Sequence, residues 1–401
     1  MALDGDGGDP DFRELEPDRG LAAVRELVQA HRLSRPDGRS ERERVDADRT
    51  LRKRIKIRLL MRTSALIAGL ALSMALLCAP QARSQVSVGW RDPSPHAVRW
   101  VTVDGTTRLE VLDWGGSGRP IVLLGCYLTA HVYDDFAPKL VDQFHAYGIT
   151  RRGLGASDKS PAGYSLERSA QDVLDVLDAL KLRKPILVGY ACAGSILTYL
   201  GSRSPDRIGG LVYFDAADDP TLTNADYEIP FPDPALLPRS AKPPPALDHS
   251  SFAAYRATQR RDHGMAFPEA ELRQQFVANA DGSVGSSRMS SAIRTALTEP
   301  TRVKPDWSRI RIPVLAIYRQ RPPFEAFAAD YVVRTEQEKA SLRQLYDAER
   351  GMIARWQRDL RAGVPTARIV NLVGANLYMF LSNEADVIRA VRAFGATTAE
   401  Q

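Results

Sequence analysis

The chain reads as an α/β protein, a mostly parallel, doubly wound sheet with a helical cap inserted into it. Three observations lead there. Short continuous apolar runs, Ile121-Val122-Leu123-Leu124, Ile186-Leu187-Val188 and Gly210–Phe214, have the composition of strands buried on both faces of a sheet. Between them lie segments of helical period, best seen over Ser165–Leu180, where positions 166, 170, 173, 174, 177 and 180 are apolar. The alternation then stops over 218–305, which begins with seven prolines from Pro230 to Pro245 and continues in helical patches.

In chain order, residues 1–60 come first, either a disordered segment or a mis-assigned extension upstream of Met61. Residues 1–48 sum to −5, whereas 49–62 carry seven positive charges and no acid. Of the overall net charge of +5, the remaining chain therefore holds only +3. No basic stripe with interleaved aromatics is left, which argues against nucleic-acid binding. The basic run leads into about fifteen apolar residues from Ser64 to Ala79 and a small-x-small site, Ala82-Arg83-Ser84. Over 61–84 this has the form of a signal peptide, implying a secreted or periplasmic protein. The alternatives are a membrane tether through 61–80, short for a span of roughly 20 residues, and a buried helix.

The first core half covers 95–217. Arg108–Trp114 followed by Gly115-Gly116-Ser117-Gly118 reads as a hairpin strand and turn. Ile121–Leu124 is a buried strand, Asp134–Gln143 a helix, Ala146–Thr150 a strand and Arg151–Asp158 a Gly-rich loop. Helix Ser165–Leu180, strand Pro185–Val188, a helix to Arg203 and strand Gly210–Phe214 follow. Within the cap, helices are expected at Ser250–His263, Pro268–Asn279 and Ser290–Glu299, with Pro268 at the first helical position. The second half, 306–397, has a strand at Ile312–Tyr318. Thr335-Glu336-Gln337-Glu338 is a capping box for a long helix to Ala362, closed by Gly363.

The stretch that organises this pattern is Leu187-Val188-Gly189-Tyr190-Ala191-Cys192-Ala193-Gly194, a strand, a sharp turn among small residues, then a helix. Together with LDWGGSG, RRGLGASD, SRSPDRIGGLVYFDAA and the tail LVGANLYMFLSNEADVI, it resembles the α/β-hydrolase superfamily over about 100–217 and 306–396. The resemblance implies a serine nucleophile at the elbow, an acid, a histidine and an oxyanion hole of backbone amides. It also implies an ester or small-molecule hydrolase under a lid.

This sequence departs from that pattern at two places. The nucleophile position is Ala191 and the histidine position is Leu377, so no standard triad is intact. Residue counting agrees about the imidazole: beyond the elbow only His249 and His263 occur, both inside the cap. Asp215, at the end of a strand, is the acid candidate, or else caps the first turn of the cap. The oxyanion amides would come from the loop with Cys126 and Tyr127 and from Cys192. These two cysteines would form a disulfide if their Cα atoms lie within about 7 Å; the simpler reading is two buried thiols, and a third is Cys192 as a nucleophile. Tyr190 would line the pocket, and His131 would either line it or sit in the first turn of a helix. No metal-ligating cluster, phosphate loop or dinucleotide fingerprint stands out, and no cofactor is expected. The expected partner is a small apolar or ester-like molecule. Three functions stay open: an impaired hydrolase that binds such a ligand, an active one rebuilt around Cys192 and Asp215, and a scaffold.

Overall fold

In a computed structural model of the protein, residues 90–242 and 246–398 are described. The 1–60 extension and the signal-like segment 61–84 lie outside the described residues. No described helix is long and apolar enough to cross a membrane.

The main sheet has eight strands. β1 (Ala97–Val103) and β2 (Thr107–Gly115) form an antiparallel hairpin closed at Asp104-Gly105, both with positive φ. β2 then pairs antiparallel with β4 (Phe144–Ile149). From β4 onward the order is β3 (Arg119–Leu124), β5 (Ile186–Tyr190), β6 (Gly210–Phe214), β10 (Val314–Gln320) and β12 (Arg368–Val373), every pairing parallel. Two small antiparallel pairs stand apart: β7 (Arg239–Ser240) with β11 (Tyr331–Val332), and β8 (Phe276–Ala278) with β9 (Val284–Ser287).

Why the central strands lack polar alternation follows from the packing. Successive side chains point to opposite faces, and here both faces are covered. Ile121, Leu123, Val188 and Phe214 belong to one apolar cluster, and Val122, Leu124, Leu187 and Tyr213 to the other. Each such side chain removed from water contributes roughly 1.5–3 kcal/mol. The second face is covered by α1 (Leu166–Ala179), capped by Ser165, and by α2 (Ala193–Arg203).

The cap helices are α3 (Phe252–His263), α4 (Glu269–Gln275) and α5 (Ser291–Thr298), with Ser251 and Ser290 as side-chain caps of the first and third. Three expectations are corrected. The helix expected at Asp134–Gln143 is instead one 3-10 turn, Ala137–Leu140, which follows another at Ala130–Tyr133. Pro138 lacks an N–H and disfavours helical geometry at the residue before it, so the segment tightens rather than propagating. The helix expected to reach Asn279 stops at Gln275, because Phe276 turns extended and joins the β8–β9 hairpin, buried against the core. Pro268 takes the cap position rather than the first helical one.

The second half adds α6 (Phe324–Ala328), then α7 (Glu336–Gly363), then α8 (Met379–Ser382) and α9 (Glu384–Thr398). The Thr335–Glu338 capping box has both of its reciprocal bonds, each 3.1 Å. Gly363 is the last residue of α7 rather than the residue beyond its end, and a Cβ there would sit 2.1 Å from Trp307 Cβ.

A tighter constraint holds at Gly194, where an added Cβ would lie 1.9 Å from the Ala216 carbonyl oxygen. That oxygen is backbone and cannot swing aside. Gly194→Ala should therefore destabilise by about 2–4 kcal/mol in urea unfolding. Gly351→Ala, whose Cβ meets only Ile229 Cδ1 at 3.8 Å, should instead gain about 0.5–1 kcal/mol from helix propensity.

Candidate functional site

β5 ends at Tyr190 and α2 begins at Ala193, leaving two residues to reverse the chain. Ala191 does so with φ of 48°, in the left-handed region. An L-residue there costs roughly 1–2 kcal/mol, and the turn is secured by the Gly194 N–H donating to the Ala191 carbonyl at 2.8 Å. Its small neighbours have steric causes. A Cβ on Gly189 would press against Leu197 Cδ1 at 3.0 Å and Ala193 Cβ at 3.1 Å. The tip thus keeps the strained geometry that lifts a side chain off the sheet, while the side chain is a methyl.

Beside the tip, Cys126 and Cys192 are joined in a disulfide with Cα atoms 5.0 Å apart. This replaces the reading of two buried thiols, and it leaves Cys192 no free sulfur with which to act as a nucleophile. The bond clamps together the two segments whose amides would form the oxyanion hole, the loop of Cys126 and Tyr127 and the start of α2. Arg151, at the end of β4, is buried behind it. Its guanidinium donates to the Cys126 carbonyl at 2.8 Å, and to Ser169 Oγ and the cap carbonyl of Leu297, each at 3.4 Å. Burial pulls this guanidinium down to about 10.

The acid candidate is accounted for differently from either expectation. Asp215 is buried at the end of β6 with φ of 49°, and among the described residues no histidine and no N–H of the cap's first turn bonds its carboxylate. Its carboxylate pairs with Arg319 Nε at 2.9 Å and accepts the Arg319 N–H at 3.2 Å. Burial raises its carboxyl above the usual range, against the pull of Arg319. A cation therefore stands on β10, beside the loop from which the family pattern would offer an acid.

Leu377, half-buried, borders the same apolar cluster as Ala191, Cys192 and Tyr127. Aromatic rings fill the space around them. The Tyr127 and Tyr378 hydroxyls lie 3.4 Å apart, Tyr190 packs 5.6 Å from Tyr378, and Phe267 of the cap stands edge-on to Tyr378 at 4.9 Å. Among the described residues the buried Tyr190 hydroxyl has no hydrogen-bond partner. Such an orphan donor costs about 1–3 kcal/mol.

His131 does not line this space. Thr129 caps its turn, and the ring lies in a buried group with Asp92, His96 and Asp134, whose donor atoms all fall within 4.8 Å of one another. Sequence reading found no such cluster. The signal present was two short-range pairs, Asp92-x-x-x-His96 and His131-x-x-Asp134, which only folding superimposes. Burial opposes protonation of His131, yet its bonds to Asp134, Asp92 and Glu110 hold it well above the usual imidazole value.

Sequence reasoning also missed Glu271. From α4 of the cap, its carboxylate accepts the Thr129 hydroxyl, the Thr129 N–H at 3.3 Å and the Gln275 amide at 3.0 Å. It ties the cap to the turn that follows the oxyanion loop. Burial pushes its carboxyl up to about 7.

A family model described as alpha/beta hydrolase fold matches residues 119–278. A putative carbamate hydrolase of Caulobacter segnis is 36% identical over 115 residues, 28% of this chain and 43% of the relative. A soluble epoxide hydrolase of a Corynebacterium species is 30% identical over 118 residues, 29% of this chain and 41% of the relative. The chain thus spans less than half the length of these curated relatives. Among solved structures, E-2-(acetamidomethylene)succinate hydrolase aligns with 75% of this chain and 98% of its own at TM-score 0.52 and 17% identity. A probable hydrolytic enzyme of Pseudomonas aeruginosa PAO1 aligns with 76% of this chain and 96% of its own at TM-score 0.50 and 18% identity.

Two outcomes are expected. Because Glu271 holds its proton more tightly folded (about 7) than at its ordinary 4.5, stability should fall as pH rises between those values. The loss is on the order of 3 kcal/mol. Glu271→Gln should flatten that slope in urea titrations at pH 5 and pH 8, and the two proteins should diverge most at pH 8. An unchanged slope would remove Glu271 as its source. The disulfide closes a separation of 66 residues, so Cys126→Ser with Cys192→Ser should cost about 2–4 kcal/mol under non-reducing conditions.

Proposed function

We propose that this chain, which belongs to the α/β-hydrolase superfamily, is a catalytically impaired member of it. On this reading it binds a small apolar or ester-like molecule between elbow and cap without efficient turnover. The observation that carries the proposal is the methyl of Ala191 at the tip of a left-handed elbow. A bound carbonyl there meets no oxygen able to attack it. Leu377 offers no imidazole to move a proton, and Asp215 is neutralised by Arg319. What remains is positioning: Tyr127, Tyr190, Tyr378 and Phe267 supply an aromatic lining, and the unpartnered Tyr190 hydroxyl is a donor or acceptor for an ester or carbonyl oxygen. Because Tyr127 and Tyr378 are in contact, binding requires those rings to part.

An active site rebuilt on Cys192 and Asp215 would require the disulfide to open and Arg319 to withdraw, so it is the weaker alternative. A scaffold role predicts no ligand at all. The disulfide and the signal-like pattern of 61–84 favour a secreted or periplasmic location; a tether through 61–80 would be its membrane-anchored variant.

The test is a panel of p-nitrophenyl esters together with labelling by a serine-directed phosphonate. The parent should resist labelling at the elbow and hydrolyse esters no more than about 10³–10⁴-fold over water. It should still bind the esters in equilibrium dialysis. Ala191→Ser with Leu377→His should gain measurable esterase activity, and adding Arg319→Ala to free Asp215 should raise it further. Robust turnover by the parent that persists in Cys192→Ser would overturn impairment, and a parent that binds no ester would leave the scaffold reading.

A further inference from the structure

We infer that Asp92, His96, His131 and Asp134 form a structural site for one divalent cation of the zinc class, a site independent of the elbow. Two segments supply it. Asp92 and His96 lie on the lead-in to β1, while His131 and Asp134 lie on the 3-10 turn that follows the oxyanion loop. The side chains of His96, His131 and Asp134 are at most 6% exposed, and that of Asp92 is 22% exposed, leaving a path from solvent.

The distances suit a shared ion. His131 Nδ1 is 2.8 Å from Asp134 Oδ2 and 3.3 Å from Asp92 Oδ2. His96 is 2.8 Å from Asp134 Oδ1 through Nδ1 and 3.7 Å from Asp92 Oδ2 through Nε2. Bonds of about 2.0–2.2 Å in a tetrahedron place neighbouring donors roughly 3.3–3.6 Å apart. Taken as one donor atom per residue, the four lie within 4.8 Å of one another, so side-chain rotations would draw the wider pairs in around the ion.

Charge is the second argument. Glu110, also buried, lies 3.6 Å from His131 Nε2, so three carboxylates surround two imidazoles. Among the described residues no Lys or Arg bonds any of the three. A single Nδ1–H on His131 cannot serve Asp134 and Asp92 together, and even two imidazolium ions would leave one negative charge uncompensated. A divalent cation supplies what the protein's own side chains do not. The outer partners fit as well. With Nδ1 on the metal, His131 Nε2–H faces Glu110, whose other oxygen accepts the Thr150 hydroxyl at 2.8 Å. Trp114 Nε1 donates to Asp134 Oδ1 at 3.0 Å and fixes that carboxylate. A carboxylate behind a ligating imidazole is the arrangement that orients metal-bound histidines. Two imidazoles with two carboxylates favour zinc over calcium or magnesium, which take oxygen-only shells. The ion would pin the lead-in of the sheet's edge strand to the turn that supports the oxyanion loop.

The test uses the full chain, stripped with a chelator, dialysed and exposed to Zn2+ or Co2+ alone. Expected are one Zn2+ retained per chain, the visible bands of tetrahedral Co2+ without a thiolate charge-transfer band, and a Tm raised by about 5 °C or more at 100-fold excess over Kd. Asp92→Asn and His96→Ala, on the lead-in and away from the buried turn, should each weaken Zn2+ affinity at least tenfold. Asp92→Asn keeps shape and is the control should His96→Ala fold poorly. Absence of stoichiometric Zn2+ binding, or binding that Asp92→Asn and His96→Ala leave unchanged, would overturn the site. Metal content, spectrum and Tm are read without reference to ester turnover, so they stand or fall apart from the function proposed above.

Discussion

The left-handed backbone at residue 191 is the constraint around which the molecule is arranged. A parallel strand must hand over to a helix within two residues and still let that helix press on the end of the next strand. Gly194 can do this only without a Cβ, because the Ala216 carbonyl occupies the place a Cβ would take. The strain at Ala191 then needs support on all sides. Buried β5, the face of α2 and the bond from Cys192 to Cys126 provide it. Strain of this kind persists only where surrounding structure over-determines it. It is retained here although the residue at the tip has no reactive atom.

Buried charge is handled in three ways around this frame. Arg151 sits among carbonyls and a hydroxyl, with no carboxylate bonded to it among the described residues, so desolvation dominates and its guanidinium is pulled down. Asp215 and Arg319 neutralise each other directly. The group around His131 brings more carboxylate than cation into one place. Only the second arrangement is closed with respect to charge: Arg151 is an excess cation held by neutral acceptors, and the group around His131 is an excess of carboxylate.

The cap is joined to the core at the turn that follows Cys126 and Tyr127 and at Arg151. Glu271 bonds Thr129, Leu297 receives Arg151, and Phe267 meets Tyr378. Lifting the cap from this turn would break polar contacts as well as the ring contact, so cap position and local stability are coupled. With its carboxyl near 7, Glu271 makes that coupling sensitive to pH.

Much of this was readable in the residues themselves. The apolar strands, the helix of Ser165–Leu180, the Thr335–Glu338 box and the elbow are local patterns, and local physics of period, capping and steric size is written directly in sequence. The absence of a serine at 191 and of an imidazole at 377 is equally explicit. Folding decided what depends on neighbours far along the chain. Pro138 and Phe276 ended helices that periodicity alone extended, Cys126 met Cys192 across 66 residues, Arg319 claimed Asp215, and two distant His–Asp pairs converged. Those outcomes rest on burial and on electrostatics between segments, and both are set by position in space, which no local spacing encodes.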